Sequence, residues 1–358
     1  MGSQPIPLIR VYGSHRQMGC QIGEACREQV HHSINNAHKL LQDAYEHLQL
    51  SWEGATMQAR KYIPFAEERY PQYVEELMGI ADGANASFDD VAVVNAMEAV
   101  TTDALHLTKC TSMAVNQERT DNQRVLLAHN EDWLPEDEPD LYIIHARPDD
   151  EAPFLAMTYG ALLPNIGLNA NGIAQCCDSV YPSDSRIGIP RLVVSRAVLA
   201  AKTTSDAISS TLIHQRAAGY NHLLAHESGE LYNVEVSARR FAVLGSEDGS
   251  MVHTNHYLDP QMQTVELDTE ELINTRVRYF RARRLLCQTN QHNLETLQII
   301  QRDHVNYPDS ICNHANDALK PLDREKTITA LLIDLTNRRM HVTWGAPCES
   351  EYFPYQLD

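Results

Sequence analysis

Residues 109–115, Lys109-Cys110-Thr111-Ser112-Met113-Ala114-Val115, decide how this chain is read. Upstream of them apolar residues recur at helical spacing; from Cys110 onward the period shortens to that of a strand. A cysteine that opens a strand and is followed by two hydroxyl residues sits in a more polar setting than an inert core cysteine. The partner strand, His129-Asn130-Glu131-Asp132-Trp133, ends near Asp132, and a distant segment, Val252-His253-Thr254-Asn255-His256, carries Asn255. A cysteine, a carboxylate and a carboxamide at three strand ends can assemble an acyl-transfer site. The same trio implies that the chain cuts itself before it works.

Taken alone, Cys110 is a weak candidate, because the chain has eight cysteines and a free cysteine usually behaves as a small buried hydrophobe. Cleavage of the Lys109–Cys110 bond would change that. The new α-amine, with an ordinary pKa of about 7.7–8.0, would become the adjacent base that activates the thiol. Asp132 could orient that amine, although a strand-end aspartate is more often a turn carboxylate. Asn255 could donate its NH₂ to a developing oxyanion, worth roughly 3–4 kcal/mol in hydrolases; its ordinary use is to bond backbone.

Other chemistries find little support. His253 and His256 form an H-x-x-H pair, but without an H-E-x-x-H helix or a C-x-x-C pair no metal is expected. Gly167-Leu168-Asn169-Ala170-Asn171-Gly172 lacks the spacing and the lysine of a phosphate loop, and no G-x-S-x-G elbow occurs, so no cofactor is expected. Adjacent Cys176 and Cys177 read as strand packing.

The chain's 358 residues can bury a sizeable core, and 43% hydrophobic with 22% charged residues is ordinary for a globular protein. A net charge of −19 argues against a nucleic-acid partner, whose binding rests on phosphate neutralisation. Unevenly spaced cysteines do not make a disulfide scaffold in a chain this long. No stretch approaches the roughly 20 apolar residues of a membrane helix, and neither end reads as a secretory or organellar address. The expectation is a cytoplasmic protein with no membrane partner.

Organisation follows from periodicity. A short strand, Leu8–Tyr12, precedes a helical run from Met18 to Leu41, a helix over Ala55–Ala66, another from Pro71 to about Ile80, and one capped at Ser87 that reaches about Val100. Hairpins are expected around Thr120-Asp121-Asn122, Ser228-Gly229 and Asn337-Arg338, with strand pairs at 141–147 and 154–160 and a strand segment at 167–177. Helices are expected at Pro190–Ala201, Ser205–Gln215, Glu270–Cys287 and Leu294–Arg302. Helices and strands that alternate in blocks, without a βαβ rhythm, predict an α+β fold with largely antiparallel sheets in one domain, 1–358.

These segments, in this order, resemble the acyl-coenzyme A:isopenicillin N (6-aminopenicillanic acid) acyltransferase family of self-processing N-terminal-nucleophile hydrolases, which also includes β-alanyl-amine hydrolases. The likeness runs through RVYGSHRQMGCQIGEAC, FAEERYPQYVEELMGIADGAN, CTSMAV, HNEDW, GLNANGIA, GIPRLVVSRAVL, LYNVEVS, MVHTNHYLDP, NYPDSICNH and ITALLIDLTNRRMHVTWGAPC.

The resemblance implies an αββα sandwich made as a precursor and cut before the cysteine, giving fragments 1–109 and 110–358 that stay together as a heterodimer. By motif match Cys110 is the nucleophile, Asp132 orients the amine, Asn255 serves the oxyanion, and Ser112 and Ser237 support the processing site. Two departures matter. Lys109 stands where the family typically has glycine, which eases the strained approach of self-cleavage. Asn313 stands where an arginine is frequent, so the site lacks that charge for a substrate carboxylate.

The expectation is an amidohydrolase or acyltransferase that carries its acyl group on Cys110 and takes a small N-acyl or aminoacyl amide. The alternatives are an acyl-CoA-dependent N-acyltransferase and an unprocessed, non-catalytic binding protein of the same fold.

Overall fold

The computed structural model describes residues 4–97, 109–267, 271–320 and 324–358. The first block is helical: α1 (His15–Ala25), α2 (Arg27–Asp43), α3 (Tyr45–Leu48), α4 (Trp52–Ala59), α5 (Ile63–Arg69), α6 (Pro71–Ala84) and α7 (Phe88–Met97) follow the strand β1 (Leu8–Gly13). Ser14 starts α1 with a capping box: its hydroxyl accepts from the Gln17 amide while the Gln17 side chain reaches back. The expected run from Met18 to Leu41 is broken at Cys26, whose φ of −112° and ψ of 29° leave the helix. The expected helix 55–66 is two helices, α4 and α5, with Pro64 at the start of the second. The end expected near Val100 lies outside the described residues.

Helices α1 and α6 cross with their backbones almost touching. A Cβ on Gly19 would lie 2.1 Å from Glu76 O and one on Gly83 would lie 2.0 Å from Cys20 O, with Gly23 and Gly79 equally tight. No residue larger than glycine fits this seam.

From Lys109 the chain is mostly strand: β2 (Lys109–Val115), β3 (Leu126–Trp133), β4 (Leu141–Pro148), β5 (Phe154–Tyr159), β6 (Ile166–Asn169) and β7 (Ile173–Asp178). Then come α8 (Arg191–Val198), α9 (Thr204–Thr211), β8 (Tyr220–His226), β9 (Leu231–Val236), β10 (Phe241–Gly245) and β11 (Ser250–His253). The chain ends with α10 (Glu271–Leu286), α11 (Leu294–Gln301), β12 (Lys326–Asp334), β13 (Arg339–Val342) and β14 (Phe353–Gln356). Strands β10 and β14 were not expected. They are short, and β10 never buries a residue, so its period-2 signal lacks an apolar face.

These strands make an eight-stranded sheet, β1-β4-β5-β6-β7-β8-β9-β10, and a six-stranded sheet, β11-β2-β3-β12-β13-β14. Every pairing is antiparallel except β1 with β4.

The layers follow from alternation along β2 and β3. Ala114 and Leu127 join the main core, which continues through Leu155, Leu168 and Leu223 of the first sheet to Ile22, Leu77 and Val194 of α1, α6 and α8. Met113, Val115, Leu126 and Ala128 face the other way, onto Ala282, Leu286, Leu297 and Ile300 of α10 and α11. Each Leu, Ile, Val or Met among them contributes about 1.5–3 kcal/mol by leaving water. The order is helices, sheet, sheet, helices: an α+β, αββα sandwich, as expected.

Candidate active site

Cys110 is the second residue of β2, the strand next to the β11 edge of the six-stranded sheet, where it pairs with β3 and is buried. Its backbone amide and its backbone carbonyl are each held by a side chain. The Cys110 amide donates to Asn255 Oδ1 at 2.8 Å. Arg278, reaching up from α10, donates through Nη1 to the Cys110 carbonyl and to Thr111 Oγ1, and through Nη2 to Asn255 Oδ1 at 2.8 Å. Asn255 in turn gives its Nδ2 to Ser179 O, just beyond β7. A carboxamide that accepts twice on oxygen and donates once through nitrogen has its orientation fixed by its partners. In this arrangement Asn255 thus meets Cys110 with its oxygen, whereas the oxyanion role expected from sequence uses its NH₂.

The register decides which acid faces the thiol. Cys110 pairs with Glu131, and Lys109 pairs with Asp132. Successive side chains alternate faces, so Glu131 lies on the thiol's side and Asp132 on the side of α10. The Cys110 Sγ is 3.8 Å from Glu131 Oε2. Asp132 takes the Thr327 hydroxyl at 2.5 Å, and its other oxygen is buried without a hydrogen bond. Burial therefore pushes its pKa up to about 7 against the pull of Arg278, Thr327 and Lys109. The Asp132 charge also reaches the Cys110 sulfur, whose pKa is raised well above the usual thiol value by burial first and then by Glu131, Asp178 and Asp132.

Behind the thiol runs a buried polar chain. Glu131 Oε2 lies 2.8 Å from His129 Nε2, and His129 Nδ1 lies 2.9 Å from Ser112 Oγ. Ser112 Oγ is 2.7 Å from Asp178 Oδ1, which brings β2 to β7 across the two sheets. His253 follows, 3.4 Å from Asp178 Oδ2 and 2.9 Å from Glu235 Oε1. Burial alone would raise Asp178, but His253, His129 and Ser112 more than reverse it and hold the carboxyl below its usual range. Burial would likewise lower His253, yet Asp178 and Glu235 bring its pKa up to about 9. Ser112 gives its hydroxyl proton to Asp178.

The remaining expected residues are placed as follows. Lys109 extends its ammonium to Asp309 at 3.4 Å and Glu325 at 3.5 Å. Ser112 belongs to the polar chain. Ser237 donates to Asp184 Oδ2 and accepts from the Arg239 and Arg240 amides at the end of β9, a turn-closing pattern that includes no bond to Cys110. Asn313 gives its Nδ2 to Glu325 O and its backbone pairs with Thr327, so its carboxamide is directed onto the chain itself. Arg278, Glu131 and His129 were missed. Arg278 is one of five arginines in the 16 residues of α10, and only its burial sets it apart; Glu131 was passed over for its neighbour.

An apolar cleft lined by Leu40, Val94, Met97, Trp133, Tyr159 and Leu192 adjoins this centre. Tyr159 belongs to both, its hydroxyl lying 3.4 Å from Glu131 Oε1.

The family model described as "Acyl-coenzyme A:6-aminopenicillanic acid acyl-transferase" matches residues 118–349. The chain belongs to this family. The matched region contains Glu131, Asp132, Asn255 and Arg278 and begins after Cys110. One relative, the beta-alanyl-dopamine/carcinine hydrolase of Drosophila melanogaster, is 26% identical over 224 residues, 57% of this chain and 56% of the relative, so the chain spans little more than half the length of that protein. Another, the 40 kDa form of the acyl-coenzyme A:6-aminopenicillanic-acid-acyltransferase of Emericella nidulans, is 21% identical over 342 residues, 95% of this chain and 92% of the relative. Among solved structures, penicillin V acylase from Agrobacterium tumefaciens is similar with a TM-score of 0.48 and 15% identity, covering 65% of this chain and 82% of that one. No helix among the described residues is long and apolar enough to cross a membrane.

Proposed function

We propose that this protein is a self-cleaving cysteine N-terminal-nucleophile amidohydrolase that carries an acyl-thioester on Cys110 and acts on a small N-acyl or aminoacyl amide. The observation that carries the reading is the grip on Cys110 itself: backbone amide on Asn255, backbone carbonyl on Arg278, thiol beside Glu131.

In the precursor, Cys110 Sγ attacks the carbonyl carbon of Lys109 while its proton passes to Glu131. The C–N bond breaks, the nitrogen leaves protonated as the α-amine of Cys110, and a thioester joins Lys109 to the sulfur. Water hydrolyses it, freeing the Lys109 carboxyl and the thiol. Fragments 1–109 and 110–358 remain a heterodimer, because helices α1 and α6 share one core with strands that follow the cut.

The cut adds positive charge beside a sulfur surrounded by carboxylates, which lowers the cost of the thiolate. Asn255 Oδ1 then accepts from the new amine, and Asp132 supplies the counter-charge. The thiolate attacks the substrate amide, the α-ammonium protonates the departing amine, and water releases the acyl group. The apolar cleft that shares Tyr159 suits the apolar part of the substrate. The free cysteines fit a reducing compartment, the cytoplasm.

A second reading, transfer from acyl-CoA to an amine, is favoured by the match along 92% of the Emericella nidulans acyltransferase. Rapid-quench mass spectrometry with a panel of N-acyl amides tests the primary reading. An acyl adduct on the fragment beginning at Cys110, with amine release, is expected. Amine acylation faster than hydrolysis would favour the second reading; no adduct and no turnover across the panel would reject the first.

A further inference from the structure

Four side chains outside the Cys110 centre converge where two loops meet. His304, Cys312 and His314 come from the segment between α11 and β12, and Cys348 from the loop between β13 and β14. Their ligating atoms all lie within 4.8 Å of one another. The two sulfurs are 3.6 Å apart and unbonded. His314 Nε2 lies 3.5 Å from Cys312 Sγ, 3.4 Å from Cys348 Sγ and 3.1 Å from His304 Nε2.

These four separations are close to edges of a tetrahedron, and the two from His304 to the sulfurs are within 4.8 Å. With zinc–sulfur bonds of about 2.3 Å and zinc–nitrogen bonds of about 2.05 Å, tetrahedral edges are about 3.8 Å for S–S, 3.5 Å for S–N and 3.3 Å for N–N. The donor set, two thiols and two imidazoles, is that of a closed structural zinc site, with no position left for water. A hydrogen-bonded cluster gives a poorer account. Thiols are weak donors, and two imidazole Nε2 atoms 3.1 Å apart share at most one proton without repulsion. We propose that His304, Cys312, His314 and Cys348 bind one zinc ion.

The sequence hides this site because its spacing, H-x₇-C-x-H and a cysteine far downstream, matches no common zinc pattern. The fold supplies the fourth ligand: Arg302 Nε donates to Pro347 O, and Tyr352 donates to Gln301 Oε1, which holds the second loop against the first. Within the first loop, Cys312 N bonds Asp303 O and His314 N bonds Pro308 O, so its ligands are backbone-anchored.

The staple would act on the Cys110 centre through the segment it holds. Asp309 pairs with Lys109, Ile311 O accepts from Asn130, and Asn313 pairs with Thr327, whose hydroxyl bonds Asp132. The zinc would therefore be a positioning element, acting on the Cys110 centre only through these intervening groups.

The test is elemental analysis of the full-length protein expressed with zinc and purified without chelator. About one zinc per chain is expected, released by a thiol-modifying reagent as the two cysteines react. Stripping it should lower the melting temperature, and adding zinc alone should restore it. His304→Ala and Cys348→Ser, both at exposed positions, should fold and lose the metal. Metal-free protein that takes up no zinc with a Kd below about a micromolar, a Cys312–Cys348 disulfide in the freshly purified chain, or full zinc content in the His304→Ala/Cys348→Ser double variant would each overturn the proposal.

Discussion

Arg278 Nη2 lies 2.8 Å from Asn255 Oδ1, and both side chains hold the same residue, Cys110. One residue on a helix and one at a strand end thus fix the amide and the carbonyl of the nucleophile before any bond is cut. If that grip sets the attack geometry, its loss should appear in the rate of self-cleavage.

Arg278→Ala is expected to slow conversion of precursor to fragments at least about tenfold, as expected when a group that positions a reacting centre is lost. Arg278→Lys, which keeps the charge but loses the fork, should fall between. Time-resolved gel analysis of freshly expressed protein measures it, with circular dichroism confirming the fold.

Glu131 faces the thiol. Glu131→Gln keeps the shape and removes the acceptor charge, so self-cleavage should slow by about 10²–10⁴, the usual worth of a general base. Asp132→Asn should slow it less, since Asp132 lies on the other face of β3. Equal effects in the two variants would argue against Glu131 as the base of the attack.

Asp132 also marks the pH dependence of the precursor. Its folded pKa, about 7, is raised above the ordinary aspartate value by burial. A raised carboxyl gives stability that is complete below about pH 4 and lost as pH climbs toward 7. In an uncleavable Cys110→Ala background, stability contributed by this group should therefore fall across pH 4–7 by an amount on the order of a few kcal/mol. Adding Asp132→Asn should flatten that slope. Urea titrations across the pH range check both.

Gly83→Ala tests the seam between α1 and α6. The added methyl carbon would lie 2.0 Å from a backbone oxygen, which no rotamer change can relieve. A loss of about 3 kcal/mol or more is expected, the upper range for overpacking. A lowered melting temperature at fixed scan rate, beside a neutral control such as Gly54→Ala on α4, measures it.

How far the sequence could be read depended on how local each signal was. Helix periodicity and the hairpin turns are written in neighbouring residues, and most of those elements stand where the pattern put them, whereas the breaks at Cys26 and between α4 and α5 left the periodicity unchanged and went unread. Cys110 stands out in the sequence because the period changes there, and Asn255 because it ends a strand motif. Which of Glu131 and Asp132 faces the thiol does not stand out, since that requires the β2–β3 register, and a slip of one residue exchanges their faces. Arg278 and the His304–Cys348 cluster depend on contacts between distant segments, which no local pattern encodes.

The most direct test is the denatured intact mass of wild-type protein beside Cys110→Ala. The account predicts two fragments in the wild type, split between Lys109 and Cys110, and one uncut chain in the variant. A single uncut, catalytically inactive chain in both would contradict it.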